Sequence, residues 1–169
     1  HASYRRQRQM CIRDSVYTIN TDATADTVTI TNAGSDGLRI AGGTLVLNNG
    51  LVDGTTDAGL FGVSAADISI DNSVFRNGTY GLELAGLETS FITFAVTNST
   101  FDLNSDSGVF IMYADGSFDS SIANNNQDLG MECLNATFTS CAGNDLTSNL
   151  NGEQIGCDET CGIDASSTN

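Results

Sequence analysis

One short motif recurs along this chain at near-constant spacing: Gly, an apolar residue, any residue, then usually another apolar one. It occurs as Gly37-Leu38-Arg39-Ile40, Gly59-Leu60-Phe61-Gly62, Gly81-Leu82-Glu83-Leu84, Gly108-Val109-Phe110-Ile111 and Gly130-Met131-Glu132-Cys133, at intervals of 22, 22, 27 and 22 residues. A second pattern precedes each copy: apolar, any, apolar, any, Asn. It is seen at Val28/Ile30/Asn32, Leu45/Leu47/Asn49, Ile68/Ile70/Asn72 and Phe94/Val96/Asn98, with a weaker copy at Ile122/Asn124. Self-similarity at a fixed period marks a stacked architecture, in which each repeat is one unit that cannot bury its apolar face alone.

Strict alternation over three to five residues describes a short strand with one buried face. Stacking such strands about 4.8 Å apart gives each one parallel neighbours and a continuous core. Ile68, Ile70, Phe75, Leu82 and Leu84 are expected to point inward from one coil. Phe94, Val96, Phe101, Val109 and Ile111 are expected to lie against them in the next. Asn32, Asn49, Asn72, Asn98 and Asn124 are expected at corners, where Asn tolerates a left-handed backbone and bonds its amide to the Asn above and below. Gly37, Gly59, Gly81, Gly108 and Gly130 are expected to fall in register along one edge and to relieve a turn. The longer interval holds Leu87 to Ser90, which should bulge as a loop. The pattern therefore predicts an all-β, right-handed parallel β-helix of about five to six coils. A β-sandwich would show hairpin turns at shorter spacing, and a leucine-rich repeat would add helix.

The stretches I-S-I-D-N-S-V-F-R-N-G-T-Y-G-L-E-L (68–84) and F-A-V-T-N-S-T-F-D-L-N-S-D-S-G-V-F-I (94–111) resemble the β-helix repeat of the pectin-lyase-like superfamily. The resemblance spans roughly residues 26–135. It implies fold and raises polysaccharide lyases and hydrolases as activities. It carries no site, because the repeat describes core and corners while function is grafted on the outer face.

Residues 1–15 clash in composition with the rest of the chain: Arg5, Arg6, Arg8, Arg13, the only His (His1) and Cys11 all lie there. Read back through the genetic code, Arg5–Ser15 resembles the adapter and mosaic end of a transposase-based sequencing library. Residues 1–15 are accordingly expected to be translated adapter with no part in the fold, which also implies a fragment of a longer chain. Without them the net charge moves from −15 to −18, with Arg39 and Arg76 as the remaining bases. Such a balance argues against nucleic acid and anionic membranes, which both need a cationic surface. No apolar stretch is long enough to span a bilayer. The expected domain plan is coils over residues 16–140, then 141–169 as an irregular disulfide-tied tail or the start of a further coil.

Four cysteines remain, Cys133, Cys141, Cys157 and Cys161, an even and clustered set that suits disulfides in an oxidising compartment. Sequence leaves three connectivities open, with free thiols and a zinc site as rivals, although the spacing lacks a C-x2-C knuckle and no native His is present.

Candidate chemistry is sparse. Acid–base hydrolysis needs two carboxylates at a defined separation, and Asp67, Asp71 and Glu83 are outward candidates that nothing in the sequence pairs. Arg39 and Arg76 are the bases a lyase would need, yet an anionic substrate would meet a strongly anionic surface. Ca²⁺ suits an acidic chain, and Asp102, Asn104 and Asp106 in D-L-N-S-D are the nearest approach to an oxygen-ligand loop; an ordinary turn fits them better. The reading is a non-catalytic fragment of a secreted or cell-surface β-helix protein, structural, adhesive or carbohydrate-binding. The alternative is a piece of a polysaccharide lyase or glycoside hydrolase whose catalytic coils lie outside this chain.

Overall fold

The computed structural model describes residues 16–157 and residue 161. The segment read as adapter lies outside the described residues. The strands run in chain order as β1 (Val16–Ile19), β2 (Ala23–Asp26), β3 (Thr29–Thr31), β4 (Leu38–Asn48), β5 (Leu51–Asp53), β6 (Ala58–Asp71), β7 (Val74–Arg76), β8 (Tyr80–Ala85), β9 (Ile92–Thr97), β10 (Thr100–Asp102), β11 (Val109–Asp119), β12 (Leu129–Ser140) and β13 (Gly152–Ile155). Every strand pairing among them is parallel, and the chain winds as a right-handed β-solenoid of about six turns. Each turn has three faces. The first face stacks β1, the start of β4, the start of β6, β8, the start of β11, the start of β12 and β13. The second stacks β2, the end of β4, the end of β6, β9, the end of β11 and the end of β12. The third stacks β3, β5, β7 and β10, and single bridges at Ile122 and Asp145 continue it.

The predicted alternation is the pleat seen. Ile70, Phe75, Leu82, Leu84, Val96, Phe101, Val109 and Ile111 are at most 1% exposed, while the residues that alternate with them along each strand face outward. At the centre, the Phe75 and Phe101 rings stack at 5.2 Å, and Phe118 follows at 5.7 Å. On the second face, Gly116 falls between Phe94 and Phe138 in the stack, and those two rings meet edge-on at 5.7 Å where its side chain would be.

The five motif glycines stack rung on rung, but not as turn relief: none has a positive φ. They are excluded-volume positions. A Cβ on Gly59, Gly81 or Gly108 would stand 2.6, 2.7 or 3.0 Å from the carbonyl oxygen of the next glycine in the column.

The corners depart from the expected single Asn ladder. Asn49, Asn72 and Asn98 share the corner after the second face, at φ 54°, 47° and 50°. Asn32 (φ 55°) instead occupies the corner after the third face, aligned with Gly54 and Asn77. Asn124 is not left-handed; its neighbour Asn125 is, at φ 55°. The sequence pattern cannot separate these corners because both follow a short alternating strand. The outer amides also bond mostly to acids: Asn49 to Asp26 (2.8 Å) and Asn98 to Asp71 (2.9 Å), with Asn72 to Asn49 (2.6 Å) as the Asn–Asn link.

The buried ladders lie one residue further on. Ser73, Ser99 and Ser121 hydroxyls accept from the backbone N–H of Gly50, Ser73 and Ser99 at 2.9–3.1 Å, each donating to its own turn carbonyl. At the next corner Asn104, Asn126 and Asn149 form a second column, in which Asn126 Oδ1 accepts from both the backbone N–H and the amide of Asn104 at 3.0 Å. These side chains satisfy corner backbone groups that the sheets cannot reach.

Residues 141–155 run as one more turn, joined by the Ile122–Asp145 bridge and by β13 pairing with β12. Two disulfides, Cys133–Cys157 and Cys141–Cys161, tie it down across 24 and 20 residues. Their reduction is expected to destabilise that turn by about 3 kcal/mol per bridge. Hydrogen exchange should then accelerate over residues 131–155 while 60–111 stays protected; uniform acceleration would contradict a local staple.

Candidate functional site

The sequence candidates for Ca²⁺ do not converge. Asn104 is fully buried and its amide belongs to the corner ladder. Asp102 lies on the third face beside Arg76, with one carboxylate oxygen shielded and unpartnered; burial pushes its carboxyl up and Arg76 draws it back. Asp106 accepts from the Ser107 N–H at 2.8 Å on the edge of the first face. The chain leaves β10 at Asp102 and turns through a left-handed Leu103 (φ 58°), so the strand alternation that would put the three side chains on one face is broken and the D-L-N-S-D spacing forms a corner of the solenoid. Among the described residues no group of three His, Cys, Asp or Glu side chains is placed to hold a metal, and no helix is long and apolar enough to cross a membrane.

The chemistry that the fold does gather is on the outside of the first face. Register aligns Tyr17, Arg39, Phe61, Glu83, Phe110, Glu132 and Ile155 in one outward column. Beside it runs an apolar column of Ile19, Ala41, Val63, Ala85, Met112 and Leu134. Aromatic rings thus alternate with charged groups at every second rung, about 10 Å apart. The Arg39 guanidinium lies 4.5 Å from the Phe61 ring centre and 5.6 Å from that of Tyr17, and it bonds Asp36 at 3.2 Å. The Tyr80 ring leans on Phe110 at 5.9 Å. Along the edge, Thr79, Asp106 and Asp128 stack through backbone hydrogen bonds.

Electrostatics on this face is set by burial among like charges. Burial, followed by the Asp57 and Asp36 carboxylates, pushes Glu83 up to about 7, with Arg39 pulling the other way. Burial and then Asp106 and Glu83 raise the Tyr80 hydroxyl to about 12. Glu132 is raised by burial, then by Asp106 and Asp128. A carboxyl whose folded value is raised stabilises the fold most when protonated. That stability is full below the usual carboxylate range and is lost as pH rises through about 7 at Glu83. Glu83→Gln is therefore expected to stabilise the chain at pH 8 by about 1–2 kcal/mol after solvent screening, and by almost nothing at pH 4. Thermal melts across that range check it; an equal gain at both pH values would contradict the assignment.

Sequence reading placed Glu83 outward but found nothing to pair it. Its partners come from neighbouring turns: Asp57 and Asp36 lie in the loops before β6 and β4. The signal available was the third motif position, which reads Arg39, Phe61, Glu83, Phe110 and Glu132 down the repeats. The fold and this face define a parallel β-solenoid with one aromatic, acidic side. No family model, curated protein or solved structure matches the chain. Its class accordingly rests on rung register.

Proposed function

We propose that this chain is a non-catalytic segment of a secreted or cell-surface β-solenoid, structural and adhesive in role, whose first face holds carbohydrate. The observation that carries the reading is the outward column in which Tyr17, Phe61 and Phe110 recur at every second rung. That spacing, about 10 Å, is close to the length of an extended disaccharide. Flat apolar rings offer a stacking platform for the C–H faces of sugars, and the intervening carboxylates accept hydrogen bonds from hydroxyls. A rigid sheet holds such a platform better than a loop would. The two disulfides suit an oxidising, extracellular setting. Kinship with the pectin-lyase-like superfamily belongs to the same proposal, resting on the repeat itself.

The test is retention by soluble neutral, amine-bearing and uronic polysaccharides in affinity electrophoresis. The wild type is expected to be retarded by at least one class. Phe61→Ala/Phe110→Ala should lose about tenfold or more in affinity, while Ser69→Ala/Ser117→Ala on the second face should bind as wild type. Absence of retardation by all three classes would overturn the reading. Release of new sugar ends during the run would favour the lyase or hydrolase alternative.

A further inference from the structure

The first face contains its own template for a ligand. On its lower turns the Arg39 cation sits over Phe61, with Tyr17 on the other side and the Asp36 carboxylate bonded to it. Its upper turns repeat the same ingredients. The Phe110 ring lies between Glu83 and Glu132 in the outward column, the Tyr80 ring packs against it at 5.9 Å, and Asp106 lies close to the Tyr80 hydroxyl. The cation is what this half lacks. Among the described residues the bases are Arg39 and Arg76, and Arg76 is held by Asp53 at 2.9 Å on the third face. An aromatic face rimmed by carboxylates attracts a positive charge through both the ring quadrupole and direct Coulomb terms.

We propose that the upper half of this face docks the protonated amines of an amino-sugar polymer, with an ammonium over Phe110 and Tyr80 between Glu83 and Glu132, as Arg39 sits over Phe61. The proposal rests on the carbohydrate-binding reading of this face and names its ligand class. Charge complementarity selects the class, since the chain carries a net −15 and on this half Glu132 faces only Asp106 and Asp128, while Arg39 reaches Glu83 from two rungs below. The straight column selects a polymer over a small amine, because successive rungs offer rings and carboxylates along a line.

Titration calorimetry with glucosamine hexamer, N-acetylglucosamine hexamer and oligolysine separates the possibilities. The glucosamine hexamer should bind at least tenfold tighter than its N-acetylated form. Glu83→Gln/Glu132→Gln and, separately, Phe110→Ala should each weaken it tenfold or more. Asp67→Asn/Asp115→Asn removes the same charge from the second face and should leave binding within twofold. Equal loss in that control would mean adsorption by bulk charge and would overturn the proposal. Equal or tighter binding of the N-acetylated hexamer would overturn the amine while leaving carbohydrate binding intact. Binding of oligolysine alone, with the same dependence on the face, would replace the polysaccharide with a basic peptide and overturn the proposal. Failure of both hexamers, with neutral polysaccharide still retained, would remove only the amine; failure of every glycan would remove both readings.

Discussion

Phe101→Ala should cost the fold about 3–5 kcal/mol and lower the melting temperature by on the order of 10–15 °C. Phe101 is fully buried and bridges two contacts, stacked on Phe75 at 5.2 Å and tilted against Phe118 at 5.7 Å. Its loss leaves a cavity walled by the rungs above and below, and backbone hydrogen bonds between rungs keep those walls from collapsing inward. Phe61→Ala is the fitting comparison. Phe61 is also an aromatic on a strand, but it faces out and is half-buried, so its truncation should cost under about 2 kcal/mol. Denaturant melts of both variants check the pair. Equal costs would mean that the pleat does not divide these residues into inside and outside.

Asn126→Ala should be about as damaging, at about 3–5 kcal/mol, although it removes no apolar packing. Asn126 is 3% exposed. Its carbonyl oxygen accepts from the Asn104 backbone and amide, and its amide donates to the Phe101 carbonyl and to Asn149. Truncation leaves at least two buried polar groups unpaired, each costing about 1–3 kcal/mol. Asn124→Ala, two residues earlier and partly exposed, should cost no more than about 0.5 kcal/mol. If Asn124 proved the costly one, the ladder would lie where the sequence pattern alone puts it.

That contrast shows which parts of the fold were legible. Periodicity located the strands and the inward residues because burial acts on every second side chain of every coil, and Phe75, Leu82 and Val109 carry that signal without ambiguity. The five motif glycines were found for the same reason, although their physical role is closeness between rungs and not turn geometry. The corners were harder. Asn at 32, 49, 72 and 98 looks like one series, yet all three corners of a turn take left-handed residues, and Gly, Ser, Tyr113 and even Leu103 fill them elsewhere. The serine ladder shows in the sequence only as the repeated Asn72-Ser73-Val74-Phe75 and Asn98-Ser99-Thr100-Phe101, and its role stayed hidden because Ser next to Asn reads as ordinary loop composition. Gly62 interrupts the apolar motif for a reason only packing reveals: Ile68 and Leu84 already fill the space its side chain would need. The candidate site was legible only in part. Alternation put Glu83 and Phe110 outside, but their neighbours Asp57 and Asp106 come from loops, and Tyr80 from the first residue of β8, whose positions depend on register.

Register is therefore what the fold and the proposed surface share, and interrung contacts report it directly. In a labelled sample, nuclear Overhauser cross peaks are expected between Phe61 and Glu83, Glu83 and Phe110, and Phe110 and Glu132, which pair across adjacent parallel strands. Their presence together would place the aromatic and acidic side chains in one column, as a β-solenoid requires. Their absence, with antiparallel hairpin contacts in their stead, would contradict both the fold and the face built on it.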